Sequence, residues 1–149
     1  MEKYYIAYGS NLNYNQMKHR CPNAEIVGTS VLEGWELLFR GSMSGAYLTI
    51  ARKENGIVPV GIWKVTEQDE KALDRYEGFP RFYYKENFNI KVLDGKEITA
   101  FAYIMQENRG FGLPSEIYIN TCSEGYDFFG FNKKYLNEAV ENSKRRITE

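Results

Sequence analysis

The order of segments predicts an α+β domain with a mixed, strongly curved, barrel-like sheet flanked by helices. Strand-type segments fill the first two thirds of the chain and helical patterns fill the end. Several of the strand pairs are separated by turns so short that antiparallel pairing is required. A strand runs into a helix near the start, but that order is not repeated as strand–helix–strand units, which argues against a doubly wound sheet. A length of 149 residues suits one domain, spanning 1–149, with its own core.

Residues 4–8 read as a strand that meets the turn Gly9-Ser10-Asn11-Leu12. Asn13 is placed to cap a short helix with Gln16 as its capping-box partner, and Pro22 stops it. Segments 26–31 and 35–39 read as two strands joined by a turn at Glu33-Gly34. Segments 46–51 and 58–65 read as two more, with a turn at Lys53-Glu54-Asn55-Gly56 and a loop at Gly41–Gly45 before them. Thr66-Glu67-Gln68-Asp69 is a helix N-terminus, and Gly78 closes that helix after Ala72, Leu73 and Tyr76. Segments 83–92 and 98–105 form a strand pair around Asp94-Gly95. Ser115 caps a helix carrying Tyr118, Cys122 and Tyr126 on one face. Asn132 caps a last helix with Tyr135, Leu136, Ala139 and Val140 inward and Lys144-Arg145-Arg146 at its cationic end.

With 43% hydrophobic and 26% charged residues the composition is that of an ordinary globular protein. A net charge of −1 argues against a general nucleic-acid or membrane partner. Glu2 and Lys3 interrupt any apolar leader, and no apolar run approaches membrane-spanning length, so a cytoplasmic protein is expected. Cys21 and Cys122 match no metal spacing and read as reduced thiols. His19, the only histidine, sits between charged neighbours in Lys18-His19-Arg20 and reads as a solvated helix residue. The Gly41–Gly45 loop lacks the Lys-Ser/Thr that a phosphate loop needs.

Two features carry chemistry. Gly9 permits a sharp turn and close approach of a ligand, and a strand, a turn and a helix start leave N–H groups for an anion or an oxyanion. Ser10 and Asn11 are candidate caps for the following helix. Glu77 falls at the C-terminal end of its helix, where the dipole disfavours negative charge. Taken alone, it reads as a solvated residue before a capping glycine. Taken with the distant turn, it reads as a carboxyl whose pKa is raised by the dipole and by nearby aromatics, and so as a base.

Tyr8-Gly9-Ser10-Asn11 after the first strand, with Leu73-Asp74-x-x-Glu77-Gly78 after a central strand, resembles the γ-glutamylcyclotransferase family. Leu48-Thr49-Ile50 and Gly61-Ile62-Trp63-Lys64-Val65 resemble two of its strands, and Tyr84 falls on a recurrent family tyrosine. Pro114-Ser115-x-x-Tyr118 with Gly125, Gly130 and Tyr135 resembles its helical C-terminal third. Segment 41–47, with Ser42, Met43 and Tyr47, matches no fixed family pattern.

The resemblance implies that the α-amino group of a γ-glutamyl amide attacks its own γ-carbonyl, closing 5-oxoproline and releasing an amine. It implies Glu77 as general acid/base, residues Gly9-Ser10-Asn11-Leu12 as the oxygen-binding turn, and Tyr8, Tyr84 and Tyr118 as walls of the glutamyl pocket. It implies a small-molecule γ-glutamyl substrate, no cofactor and no metal, with a homodimer left open. The alternatives are a family enzyme for a specialised γ-glutamyl-amine and a non-catalytic small-molecule or protein-binding module of the same fold.

Overall fold

The computed structural model describes residues 3–42, 45–92 and 95–148. Its elements are β1 (Lys3–Ala7), a 3₁₀ turn (Ser10–Leu12), α1 (Tyr14–Arg20), β2 (Glu25–Arg40), β3 (Tyr47–Val65), α2 (Glu67–Glu77), β4 (Tyr83–Lys91), β5 (Glu97–Met105), α3 (Glu116–Phe129) and α4 (Lys134–Thr148). The strands form one sheet in the order β2-β3-β1-β5-β4. It is mixed because β1 runs antiparallel to β3 but parallel to β5, with Tyr4 opposite Ala100 and Tyr5 opposite Phe101.

The α+β class stands. The two strand pairs expected between 26 and 65 are instead one long hairpin, β2 and β3, paired from Glu25↔Lys64 to Arg40↔Tyr47. The residues read as turns face each other across this ribbon. Pairing passes from Glu33↔Ile57 to Trp35↔Arg52, so Gly34 bulges opposite residues 53–56. Gly34 (φ 85°) and Asn55 (φ 64°) take the left-handed backbone that made them look like turn residues. A Cβ on Gly56 would lie 2.3 Å from the Trp35 carbonyl oxygen, so glycine is what lets the ribbon fold onto itself there. Met43, Ser44 and Asp94, read as loop or turn residues, lie outside the described residues.

The sheet is strongly curved but not closed. Its two edge strands approach through side chains: Ser30 Oγ donates to the Lys91 carbonyl, and the Trp35 and Phe88 rings are 5.3 Å apart. No ladder joins them among the described residues, so the barrel is incomplete.

The helices follow their caps. Asn13 accepts from Gln16 N–H at 3.2 Å, but the expected reciprocal bond is missing because Gln16 Oε1 accepts from Arg20 instead. Thr66 and Asp69 complete their capping box, and Gly78 (φ 65°) ends α2. Ser115 caps α3, and Asn132 Oδ1 accepts from Lys134 N–H before α4. The core lies between sheet and helices and is filled by residues such as Ile6, Leu12, Met17, Phe39, Trp63 and Leu73. Among the described residues no helix is long and apolar enough to cross a membrane.

Candidate active site

The end of β1, the 3₁₀ turn, the start of β3 and the end of α2 surround a cavity of about 350 Å³. A volume of this size suits a small molecule. The capping box fixes the start of α2, the buried Leu73 anchors its inner face, and Glu77, one turn further along that face, lines the cavity. Among the described residues no side chain or N–H donates to the Glu77 carboxyl. Burial raises it to about 8, against the smaller opposing pull of the Arg20 guanidinium. The residue as a whole is only intermediate in exposure because the cavity opens to solvent. Water therefore tempers the shift without reversing it. The dominant cause is desolvation rather than the helix end that the sequence suggested.

Across the cavity, Gly9, Ser10 and Asn11 form its rim. The turn's own hydrogen bonds use the N–H groups of Leu12 and Asn13, donated to Gly9 and Ser10 carbonyls at 3.0 Å. The N–H groups of Gly9, Ser10 and Asn11 have no acceptor within the turn. Ser10 and Asn11, offered by the sequence as caps, do not cap α1; Asn13, which the sequence also placed as its cap, does. Ser10 Oγ instead lies 3.1 Å from the Tyr76 hydroxyl, and Asn11 Nδ2 donates to the Tyr5 hydroxyl at 2.9 Å. Tyr5 accepts there, which leaves its own proton for an acceptor in the cavity. A Cβ on Gly9 would stand 3.3 Å from the Tyr118 hydroxyl, so glycine lets the turn and α3 come together.

The tyrosine walls are pinned. Tyr8 donates to the Tyr103 carbonyl at 2.6 Å, Tyr83 to the Leu48 carbonyl at 2.9 Å, and Tyr103 to Asp74 Oδ1 at 2.6 Å. Tyr118 accepts from Leu48 N–H at 3.1 Å. Burial raises the pKa of each of these phenols, and the Glu77 charge adds to the effect. They stay protonated near neutral pH, which leaves Glu77 as the cavity group able to exchange a proton there.

The structure thus brings Glu77, Tyr8, Gly9, Ser10, Asn11 and Tyr118 together around the cavity and leaves two candidates out. Leu12 is fully buried in the core, with its N–H spent inside the turn. Tyr84 points away: its hydroxyl donates to the exposed Glu107 Oε1 at 2.6 Å, while the adjacent Tyr83 lines the cavity. Neighbouring residues of a strand face opposite sides, so a one-residue choice exchanges wall for surface. Sequence reading also missed Tyr5, Tyr76 and Tyr103. It noted Arg20 only as a charged neighbour of His19. His19 is exposed, but Arg20 reaches back to Asn11. The spacing of Asn13, Met17 and Arg20, four and three residues apart, was the available signal, since it puts all three on one helix face.

One cavity of small-molecule size is thus lined by the Glu77 carboxyl, by the Gly9-Ser10-Asn11 turn and by several phenols held neutral by burial. The sequence model of the gamma-glutamyl cyclotransferase, AIG2-like family matches residues 5–120, and the chain belongs to that family. It is 29% identical over 139 residues to a Mus musculus gamma-glutamylcyclotransferase, covering 88% of this chain and 73% of that protein. It is 29% identical over 109 residues to the Homo sapiens gamma-glutamylcyclotransferase, covering 68% of this chain but 58% of the human protein. A solved structure described as a gamma-glutamyl cyclotransferase superposes with a TM-score of 0.83 at 26% identity, covering 93% of this chain and 86% of the other.

Proposed function

We propose that this protein cyclises a γ-glutamyl amide to 5-oxoproline and releases the amine, with Glu77 moving the proton. The cavity holds the glutamyl group with a carboxylate or carbonyl oxygen against the N–H groups of Gly9, Ser10 and Asn11. The substrate's α-ammonium, with a pKa of about 8, gives one proton to Glu77. The freed amine attacks the γ-carbonyl carbon, forming the C–N bond of the lactam. The intermediate collapses with cleavage of the original amide bond; Glu77 returns the first proton to the departing nitrogen, and the second proton that the attacking nitrogen sheds as it becomes the lactam N–H goes to the same place, so the amine leaves as an ammonium ion. No other reactant is consumed.

The observation that supports this reading best is the Glu77 carboxyl, unpartnered in the cavity and raised to about 8. Donor and acceptor are then nearly matched, which is where proton transfer is most efficient, typically worth about 10²–10⁴ in rate. Holding nucleophile and carbonyl together in one folded substrate is worth ~7–11 kcal/mol. The enzyme's work is therefore chiefly positioning, done by pinned tyrosines.

Product identification on a panel of γ-glutamyl amides tests this. The expected products are 5-oxoproline and a free amine, with no turnover when the α-amine is acetylated. Free glutamate, or turnover of the N-acetylated substrate, means that water attacks instead and sinks the reading. A single domain over 1–149, a cytoplasmic location and independence of metals belong to the same proposal.

A further inference from the structure

Arg20 does not line the cavity, yet its contacts converge on both walls of it. Its Nη1 donates to Asn11 Oδ1 at 2.6 Å and its Nη2 to Gln16 Oε1 at 2.8 Å. Its guanidinium carbon lies 3.5 Å from the centroid of the Tyr76 ring. Asn11 belongs to the rim turn, and Tyr76 immediately precedes Glu77. The Tyr76 hydroxyl also meets Ser10 Oγ at 3.1 Å, and Asn11 passes a hydrogen bond on to Tyr5. One side chain of α1 thus ties the turn after β1 to the last turn of α2.

We propose that Arg20 is a positioning residue for the cyclisation: it holds the Gly9-Ser10-Asn11 rim and the Glu77 end of α2 in register, bonded to Asn11 on one side and lying on the ring of Tyr76 beside Glu77 on the other. The proposal rests on the cyclisation reading above. The other groups that face Glu77 are Tyr5 and Tyr8 from β1, Tyr83 from β4, Tyr103 from β5 and Tyr118 from α3, all phenols held neutral by burial. On its own helix Glu77 is flanked by Tyr76 and by Arg75, which lines the cavity. The charge that draws the Glu77 carboxyl toward its ionised form, against the larger push of burial, is that of Arg20. The geometry also needs arginine in particular. Its fork serves two acceptors at once, and its plane stacks on a ring; a lysine ammonium keeps the charge but does neither.

The test uses the whole chain with Arg20→Gln and Arg20→Lys, γ-glutamyl-alanine as the substrate probe, and carbon NMR of the labelled Glu77 carboxyl. In Arg20→Gln the carboxyl titration moves up by about half a pH unit or more. The acid limb of kcat/KM moves with it, and KM rises roughly tenfold as the rim loses its anchor. Arg20→Lys returns the titration toward wild type but leaves KM raised. An Arg20→Gln protein whose carboxyl titrates as in wild type overturns the link from Arg20 to the Glu77 end of α2. A wild-type KM in Arg20→Lys overturns the clamp. If Arg20→Gln fails to fold, Arg20→Lys still decides the clamp, and Arg20→Met, which keeps the apolar stem without the charge, takes its place in the titration. A wild-type enzyme that makes no 5-oxoproline overturns the cyclisation reading instead, and the NMR titration, which needs no turnover, still tells the two failures apart.

Discussion

Glu77→Gln is expected to cripple turnover while making the protein more stable at alkaline pH, and the gain follows from the shift of the carboxyl. In the unfolded chain the Glu77 carboxyl titrates near 4.5; in the folded protein it titrates at about 8. Between these values the native state holds a proton that the unfolded state has released, so stability falls as pH rises. The contribution is fully present below about 4.5, declines through the interval, and is gone above the folded value. At about 1.4 kcal/mol per pH unit the interval converts to roughly 5 kcal/mol. The cavity is open to water, which discounts this to about 2–4 kcal/mol, still a large part of the ~5–15 kcal/mol that holds a domain together. Glutamine keeps the shape and cannot ionise. Urea unfolding of both proteins from pH 4 to 9 gives the difference curve. It should lie near zero at pH 4, rise through neutrality and level off above pH 8, while kcat falls by about 10²–10⁴. Parallel stability curves would mean that the carboxyl titrates normally, and the proton-transfer argument would lose its physical basis. Full activity in the variant would remove Glu77 from the reaction.

Tyr83→Phe strips the Leu48 carbonyl of its buried donor and should cost about 1–3 kcal/mol in unfolding assays, with a raised KM. Tyr84→Phe breaks only a bond to an exposed carboxylate and should change stability by less than about 0.5 kcal/mol and leave kcat and KM unchanged. Equal losses in both variants would show that the wall has been placed on the wrong residue. Gly125→Ala puts a Cβ 2.7 Å from the Asn13 nitrogen and the Leu12 carbonyl carbon, so it should destabilise by about 1–3 kcal/mol and weaken substrate binding together. Exhaustive chelation and His19→Ala should leave 5-oxoproline formation intact; activity lost on chelation and restored by zinc would point to another reaction class.

The local signals in this sequence were reliable wherever a side chain speaks to its own backbone. Thr66 with Asp69, Ser115, Asn13 and Gly78 fixed helix ends that the structure reproduces. The same signals misled at Gly34 and at residues 53–56, because a left-handed residue serves a bulge as well as a turn, and only the opposing strand decides which. The site was legible where one short segment makes it, at Gly9-Ser10-Asn11 and at Glu77. It was not legible where strand parity or a long side chain makes it. Choosing Tyr84 over Tyr83 followed the family resemblance, whereas the pleat decides the face. Arg20 was hidden because a charged residue among charged neighbours looks solvated until the ring beneath it is known.

The seating of α3 on the 3₁₀ turn has a consequence for what counts as the minimal enzyme. The described residues lining the cavity all precede position 119, and the family match stops at 120. Yet Asn13 Nδ2 donates to the Thr121 carbonyl at 3.1 Å and to Glu124 Oε2 at 3.2 Å, and Gly125 presses against the backbone of Leu12 and Asn13. A fragment cut at the family boundary would keep each of those lining side chains and lose the buttress that gives the turn its shape. The catalytic inventory and the mechanical support are written in different stretches of the chain, so a shortened or grafted version has to carry the brace as well as the residues it steadies.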